Sequence, residues 1–128
     1  MRKSICVIDD DVIYQKIIKK LIDQSTVFGK AYFYTRAKEA LSDLAEIQTE
    51  FPSVILLDIN MPIMDGWQCL DYLETLFPEL YEIADVYIVS SSIAFSDKEK
   101  IKEYPGVSGF LSKPMKVEML KRIGKRLK

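Results

Sequence analysis

The sequence predicts an α/β fold: one sheet of five parallel strands with helices on both faces. Three observations carry this. Short, almost wholly apolar runs alternate with amphipathic helical patterns five times along the chain. The runs show little polar alternation, so both faces of the sheet are covered, as parallel sheets require. Each run reaches the next through a connection long enough for a helix, and such crossovers are right-handed. The 128 residues read as a single domain, 1–128, without repeats, low-complexity segments or linkers.

Ser4 to Ile8 reads as the first buried strand. Val12 to about Asp23 is helical, with Tyr14, Ile17, Ile18 and Leu21 on one side and Lys16, Lys19 and Lys20 on the other. Ala31 to Tyr34 is the second strand, following Gly29, and Thr35 suits the N-cap of the second helix. That helix carries Ala37, Leu41, Leu44, Ala45 and Ile47 on its apolar side and stops before Pro52. Val54 to Leu57 is the third strand and ends in Asp58; a loop marked by Pro62 and Gly66 leads to a helix over Trp67–Phe77 with Leu70, Leu73 and Leu76. Val86 to Val89 is the fourth strand, followed by Ser90-Ser91-Ser92 and a more polar helix from Ser96 to Tyr104. Pro105-Gly106 turns the chain into the fifth strand, Val107 to Leu111. Past Lys113-Pro114 the last helix keeps Val117, Leu120 and Ile123 on one face and runs to Leu127.

Composition narrows the function. The net charge of −1 argues against a nucleic acid or an anionic membrane surface as the main partner. No apolar stretch approaches the ~20 residues of a membrane span, and Ile5 to Ile8 is too short for a signal peptide. Cys6 and Cys69 lie in apolar contexts and read as reduced core thiols of a cytoplasmic protein. The chain has no histidine, which removes His-based triads and most zinc sites. A phosphohistidine, if one is used, comes from another molecule.

Open α/β sheets bind ligands outside the carboxyl ends of their strands. Here the first strand ends in Asp9-Asp10-Asp11, the third in Asp58, the fourth in Ser90 and the fifth at Lys113. These groups converge on one edge. Two carboxylates at ~4 Å repel by about 4 kcal/mol at an effective dielectric of about 20. A cation resolves that, and an all-oxygen set suits Mg²⁺. Asp58, at the end of the most apolar strand, is then placed as a nucleophile toward phosphorus. Ser90 and Lys113 would spread the charge on the equatorial oxygens.

With those residues in place, the whole chain resembles the receiver domain of two-component response regulators, of the stand-alone type. The matching stretches are VIDDD at Val7–Asp11, LLDINMPIMDG at Leu56–Gly66, VSS at Val89–Ser91, and Lys113-Pro114. The resemblance implies a flavodoxin-like (βα)5 sheet of strand order 2-1-3-4-5. It implies that Asp58 is the phosphoacceptor, that Asp10 holds Mg²⁺ directly, that Asp9 reaches it through water, and that Asn60 offers its backbone carbonyl. Ser90 becomes the switch hydroxyl and Phe110 the switch aromatic, where the family often has Tyr. Lys113 pairs with the phosphoryl group, and the Lys113-Pro114 bond is expected to be cis. Asn60 and Ser92 flank the path of the hydrolytic water and tune its rate. Pro62 and Gly66 shape the loop, and Asp11 caps the first helix.

The implied function is a phosphorelay switch. A sensor histidine kinase or histidine phosphotransfer protein docks on the first helix near Val12, Ile13, Gln15 and Lys19. Asp58 takes its phosphoryl group, and the surface of the fourth helix, fifth strand and fifth helix then changes toward an output partner that the sequence does not name. The protein is expected as a monomer or as a dimer formed on phosphorylation. Met1 and the completed last helix suggest a chain that stands alone.

Other readings remain. Any one of these features has an ordinary explanation as a cap, a turn or a solvated side chain. Trp67, Tyr14 and Cys69 read as core, and Lys121 to Lys128 as a solvated helix face. Asp9 and Asp11 also match the D-x-D spacing of a small haloacid-dehalogenase-type phosphatase with Asp9 as nucleophile, although LLDINMPIMDG would then have no role. A phosphorylation-independent interaction module on the same fold is the third reading.

Overall fold

The computed structural model describes residues 3–46, 50–92 and 94–127. Five parallel strands form one sheet in the order β2-β1-β3-β4-β5. They are β1 (Lys3–Ile8), β2 (Phe28–Tyr34), β3 (Val54–Asp58), β4 (Asp85–Ser90) and β5 (Gly109–Ser112). The helices are α1 (Val12–Ser25), α2 (Ala37–Glu46), α3 (Gly66–Leu76), α4 (Leu80–Ile83), α5 (Phe95–Lys100) and α6 (Val117–Arg126). The order and the flavodoxin-like topology are as expected.

The apolar strands divide their side chains between two cores because successive residues point to opposite faces. Ile5, Val7, Val54, Leu56, Tyr87 and Val89 pack with Ile18 and Ile22 of α1 and with Leu120 and Ile123 of α6. Cys6, Ile8, Ile55, Leu57, Val86 and Ile88 pack with α2, α3 and Leu80 of α4. Cys6 and Cys69 are buried and unpaired, and burial pushes both thiols up. Trp67 stacks on Tyr104 with ring centroids 5.3 Å apart, and the Tyr104 hydroxyl donates to Asp71 Oδ1 at 2.6 Å. That contact ties the stretch after α5 to α3.

Several elements differ from expectation. The one-turn helix α4 is too short to show periodicity; buried Leu80 anchors it. The expected helix over Ser96–Tyr104 ends at Lys100 and tightens into a 3-10 turn at Ile101–Glu103. β2 starts at Phe28, ahead of Gly29, while β5 starts only at Gly109. α2 starts at Ala37, with the Arg36 carbonyl accepting from Ala40 N at 3.3 Å, so Thr35 lies one residue outside the cap. Ile47 and Lys128 fall outside the described residues. Leu76 is largely exposed rather than core.

The register of α1 also needs correction. Ile17 is 49% exposed, whereas Gln15, expected on the docking face, is 8% exposed. Its Nε2 donates to the Asp9 carbonyl at 3.0 Å and to the Tyr34 carbonyl at 2.9 Å. Two bonds to backbone outweigh the amide's preference for water. They join the end of β1, its neighbour β2 and the start of α1. Gln15→Leu fills a similar volume but leaves the Asp9 carbonyl without this donor. A loss of about 1–3 kcal/mol in urea unfolding is expected; unchanged stability would show that water replaces the amide.

Candidate functional site

The carboxyl end of the sheet gathers the acids. Alternation along β1 and β3 sends Asp9 and Asp58 toward the α1 and α6 side, following Val7 and Leu56. Both are nearly fully buried, at 1% and 4% exposure. Asp10 is half-buried beside them. One carboxylate oxygen from each of Asp9, Asp10 and Asp58 lies within 4.8 Å of the other two. Asp11 stands apart: its Oδ1 accepts from Ile13 N and Tyr14 N, both at 3.0 Å, and caps α1.

Burial and mutual repulsion set the charge state. Desolvation first, then the neighbouring Asp9, pushes the Asp58 carboxyl up to about 6; the Asn60 backbone N–H and Lys113 pull the other way. Asp9 is also raised, by desolvation, against the opposing pull of Lys113. The Asn60 N–H reaches Asp58 Oδ1 at 3.2 Å and the Asp11 N–H reaches Asp9 Oδ1 at 2.9 Å. Three crowded carboxylates, those of Asp9 and Asp58 buried, with only oxygen donors fit a hard divalent ion such as Mg²⁺.

Lys113 enters from the end of β5. Its backbone N–H is fixed by the Ser90 carbonyl at 3.0 Å, and the Lys113–Pro114 peptide is cis. The ammonium is 2.6 Å from Asp9 Oδ2 and 3.8 Å from Asp58 Oδ2. It also lies 4.2 Å from the centroid of the Tyr14 ring. Tyr14 was expected only as core. Its place one turn after the acid triplet was the available signal, since that turn faces the strand ends.

Ser90 is fully buried but turned to its own loop. Its hydroxyl donates to the Ser92 carbonyl at 2.9 Å and accepts from Asn60 Nδ2 and Ser92 N, both at 3.1 Å. Among the described residues it makes no side-chain bond to Asp58, Asp9 or Lys113. Asn60 and Ser92 therefore meet at the hydroxyl. Phe110, on β5, is half-buried against the α2–α3 core.

Gly66 sits tight against the end of the strand that carries Asp58. A Cβ there would lie 2.4 Å from the Asp58 carbonyl oxygen and 2.6 Å from Ile59 Cα. The Gly66 N–H donates to the Ile59 carbonyl at 3.1 Å, and Asp65 caps α3 in a capping box with Gln68. The start of α3 thus presses directly on the backbone that carries Asp58.

Comparison with known proteins covers most of the chain. The family described as "Response regulator receiver domain" matches residues 5–124. The polar-differentiation response regulator DivK of Brucella ovis is 26% identical over 91% of this chain and 89% of its own length. A protein-glutamate methylesterase/protein-glutamine glutaminase of Syntrophomonas wolfei is 31% identical over 88% of this chain, which spans only 30% of that relative. Among solved structures, a two-component response regulator from Cytophaga hutchinsonii superposes with a TM-score of 0.89 at 27% identity, covering 98% of this chain and 96% of that one. The chemotaxis protein CheY4 of Vibrio cholerae shares the fold, with a TM-score of 0.80 at 19% identity over the full length of both chains.

Proposed function

The chain belongs to the response regulator receiver domain family, and from that premise we propose that it accepts a phosphoryl group on Asp58 from a partner's phosphohistidine. The observation that carries this is the meeting of three carboxylates and one ammonium at the strand ends. A carboxylate oxygen of Asp58 attacks phosphorus, the P–N bond to the donor imidazole breaks, and an acyl phosphate forms. Asp9, Asp10, Asp58 and the Asn60 carbonyl are the groups that would hold Mg²⁺. When bound, the ion neutralises charge on the transferring phosphoryl oxygens.

The protein's own groups do the rest. Lys113 leaves Asp9 and pairs with the new phosphoryl oxygens. Ser90 turns its proton from the Ser92 carbonyl to a phosphoryl oxygen, which frees the loop after β4. Phe110 moves inward, and the surface of α5, β5 and α6 presents a second arrangement to an output partner. Donor docking uses Val12 and Ile13, which are 57% and 72% exposed at the start of α1, together with Lys19. Gln15 takes no part, being buried. No helix among the described residues is long and apolar enough to cross a membrane.

The test is intact mass after incubation with Mg²⁺ and acetyl phosphate, followed by peptide mapping. One added phosphoryl group on Asp58 supports the proposal. A label on Asp9 would instead establish phosphatase chemistry. For the reverse step, Ser92→Lys places an ammonium on the water's approach and should change the decay rate of the phosphoform severalfold. An unchanged rate would remove Ser92 from the set of tuning residues.

A further inference from the structure

We propose that Tyr14 is a positioning residue for phosphoryl transfer, its ring face serving as a seat that keeps the Lys113 ammonium in the site as it passes from Asp9 to the phosphoryl group. The proposal rests on the reading of Asp58 as acceptor. Three contacts triangulate the ammonium: Asp9 Oδ2 at 2.6 Å, Asp58 Oδ2 at 3.8 Å and the Tyr14 ring centroid at 4.2 Å. The first two change during the reaction, because both carboxylates take on other charges. The third does not. A ring face attracts a cation through its quadrupole without fixing the direction of any N–H. The ammonium can therefore turn its three donors from one oxygen to another while still held.

The surroundings favour this role. Tyr14 is buried, and the Lys113 side chain is only 13% exposed, so water screens the contact little. A lysine stem is long and flexible, and β5 fixes only its backbone end, through the Ser90 carbonyl. The Tyr14 hydroxyl is buried and has no hydrogen-bond partner among the described residues, so the hydroxyl does not hold the ring in place. The ring is placed by packing in the core on the α1 and α6 side of the sheet, and its backbone N–H donates to Asp11 Oδ1 at 3.0 Å. The third acid of the triplet thus fixes the start of the helix that carries the seat.

The experiment measures phosphoryl uptake from acetyl phosphate with Mg²⁺ by intact mass. Tyr14→Phe keeps the face and should stay within about twofold of wild type, whereas Tyr14→Leu should slow uptake about tenfold. In a Lys113→Met background the added Tyr14→Leu change should alter the residual rate less than about twofold. A folded Leu variant at wild-type rate overturns the proposal. So does a Phe variant as slow as Leu, or an equal Leu effect without Lys113. Should Tyr14→Leu fail to fold, NMR of the wild type decides. The Lys113 ε-methylene protons should be shifted upfield by the ring, and ordinary lysine shifts would overturn the proposal. Wild type that takes up no phosphoryl group defeats the acceptor reading, while the NMR result still reports on the seat.

Discussion

Asp58→Asn is expected to abolish phosphoryl uptake and, in the same molecule, to raise stability. Asn preserves shape but cannot form the acyl phosphate. The stability gain follows from proton linkage. The folded-state carboxyl titrates at about 6, above its ordinary value of 3.8. A raised carboxyl binds its proton more tightly in the folded state. Its cost is small below about pH 4, grows between pH 4 and 6, and is full above pH 6. The roughly two-unit difference is worth about 3 kcal/mol at pH 7.5, the order of the gain expected for Asn. Urea unfolding without divalent cations at pH 7.5 and pH 4.5 checks this, with the gap closing at the lower pH. Added Mg²⁺ should narrow the gap at pH 7.5, because only wild type retains all three carboxylates. A variant no more stable than wild type would mean that Lys113 already neutralises the cluster.

Gly66→Ala should damage the protein more than any exposed alanine substitution. The obstacle is backbone, at 2.4 and 2.6 Å from the new Cβ, and backbone cannot rotate away as a side chain can. The start of α3 must lift from β3, at a cost of about 3 kcal/mol or some 10 °C in Tm. Because the displaced segment is Asp58–Ile59, uptake at Asp58 should slow as well. Gly109→Ala is the control, since its new Cβ meets only the Tyr87 ring at 3.5 Å. Equal effects at both positions would show that loss of glycine, and not the close approach, is responsible.

Much of this architecture could be read from particular residues. The strands were legible because two covered faces demand unbroken apolar runs such as Val54–Leu57, and every run but the second ends at a residue with chemistry. Asp9, Asp10, Asp58 and Lys113 follow from that, since parallel strands bring all their carboxyl ends to one edge. The phase of α1 did not follow. Ile17 continues the apparent core stripe of Tyr14, Ile18 and Leu21 yet is exposed, and only the third dimension shows Gln15 turned inward to two carbonyls. Helix α4 has too few residues for a period to appear. Tyr14 was assigned to packing because a sequence shows that a ring is apolar, not what lies over its face. Nor does it tell that the Lys113 ammonium rests on Asp9, or that Ser90 is engaged by Asn60 and Ser92.

The stack of Trp67 on Tyr104 has a practical consequence. Trp67 is the chain's single tryptophan, so its emission comes from one place. That place is the seam where α3 meets the stretch following α5. The protein carries its own optical probe, and it sits beside the surface proposed to change rather than at the reacting atoms. A stopped-flow trace of intrinsic fluorescence can therefore time the movement of that surface separately from the chemistry that mass spectrometry counts.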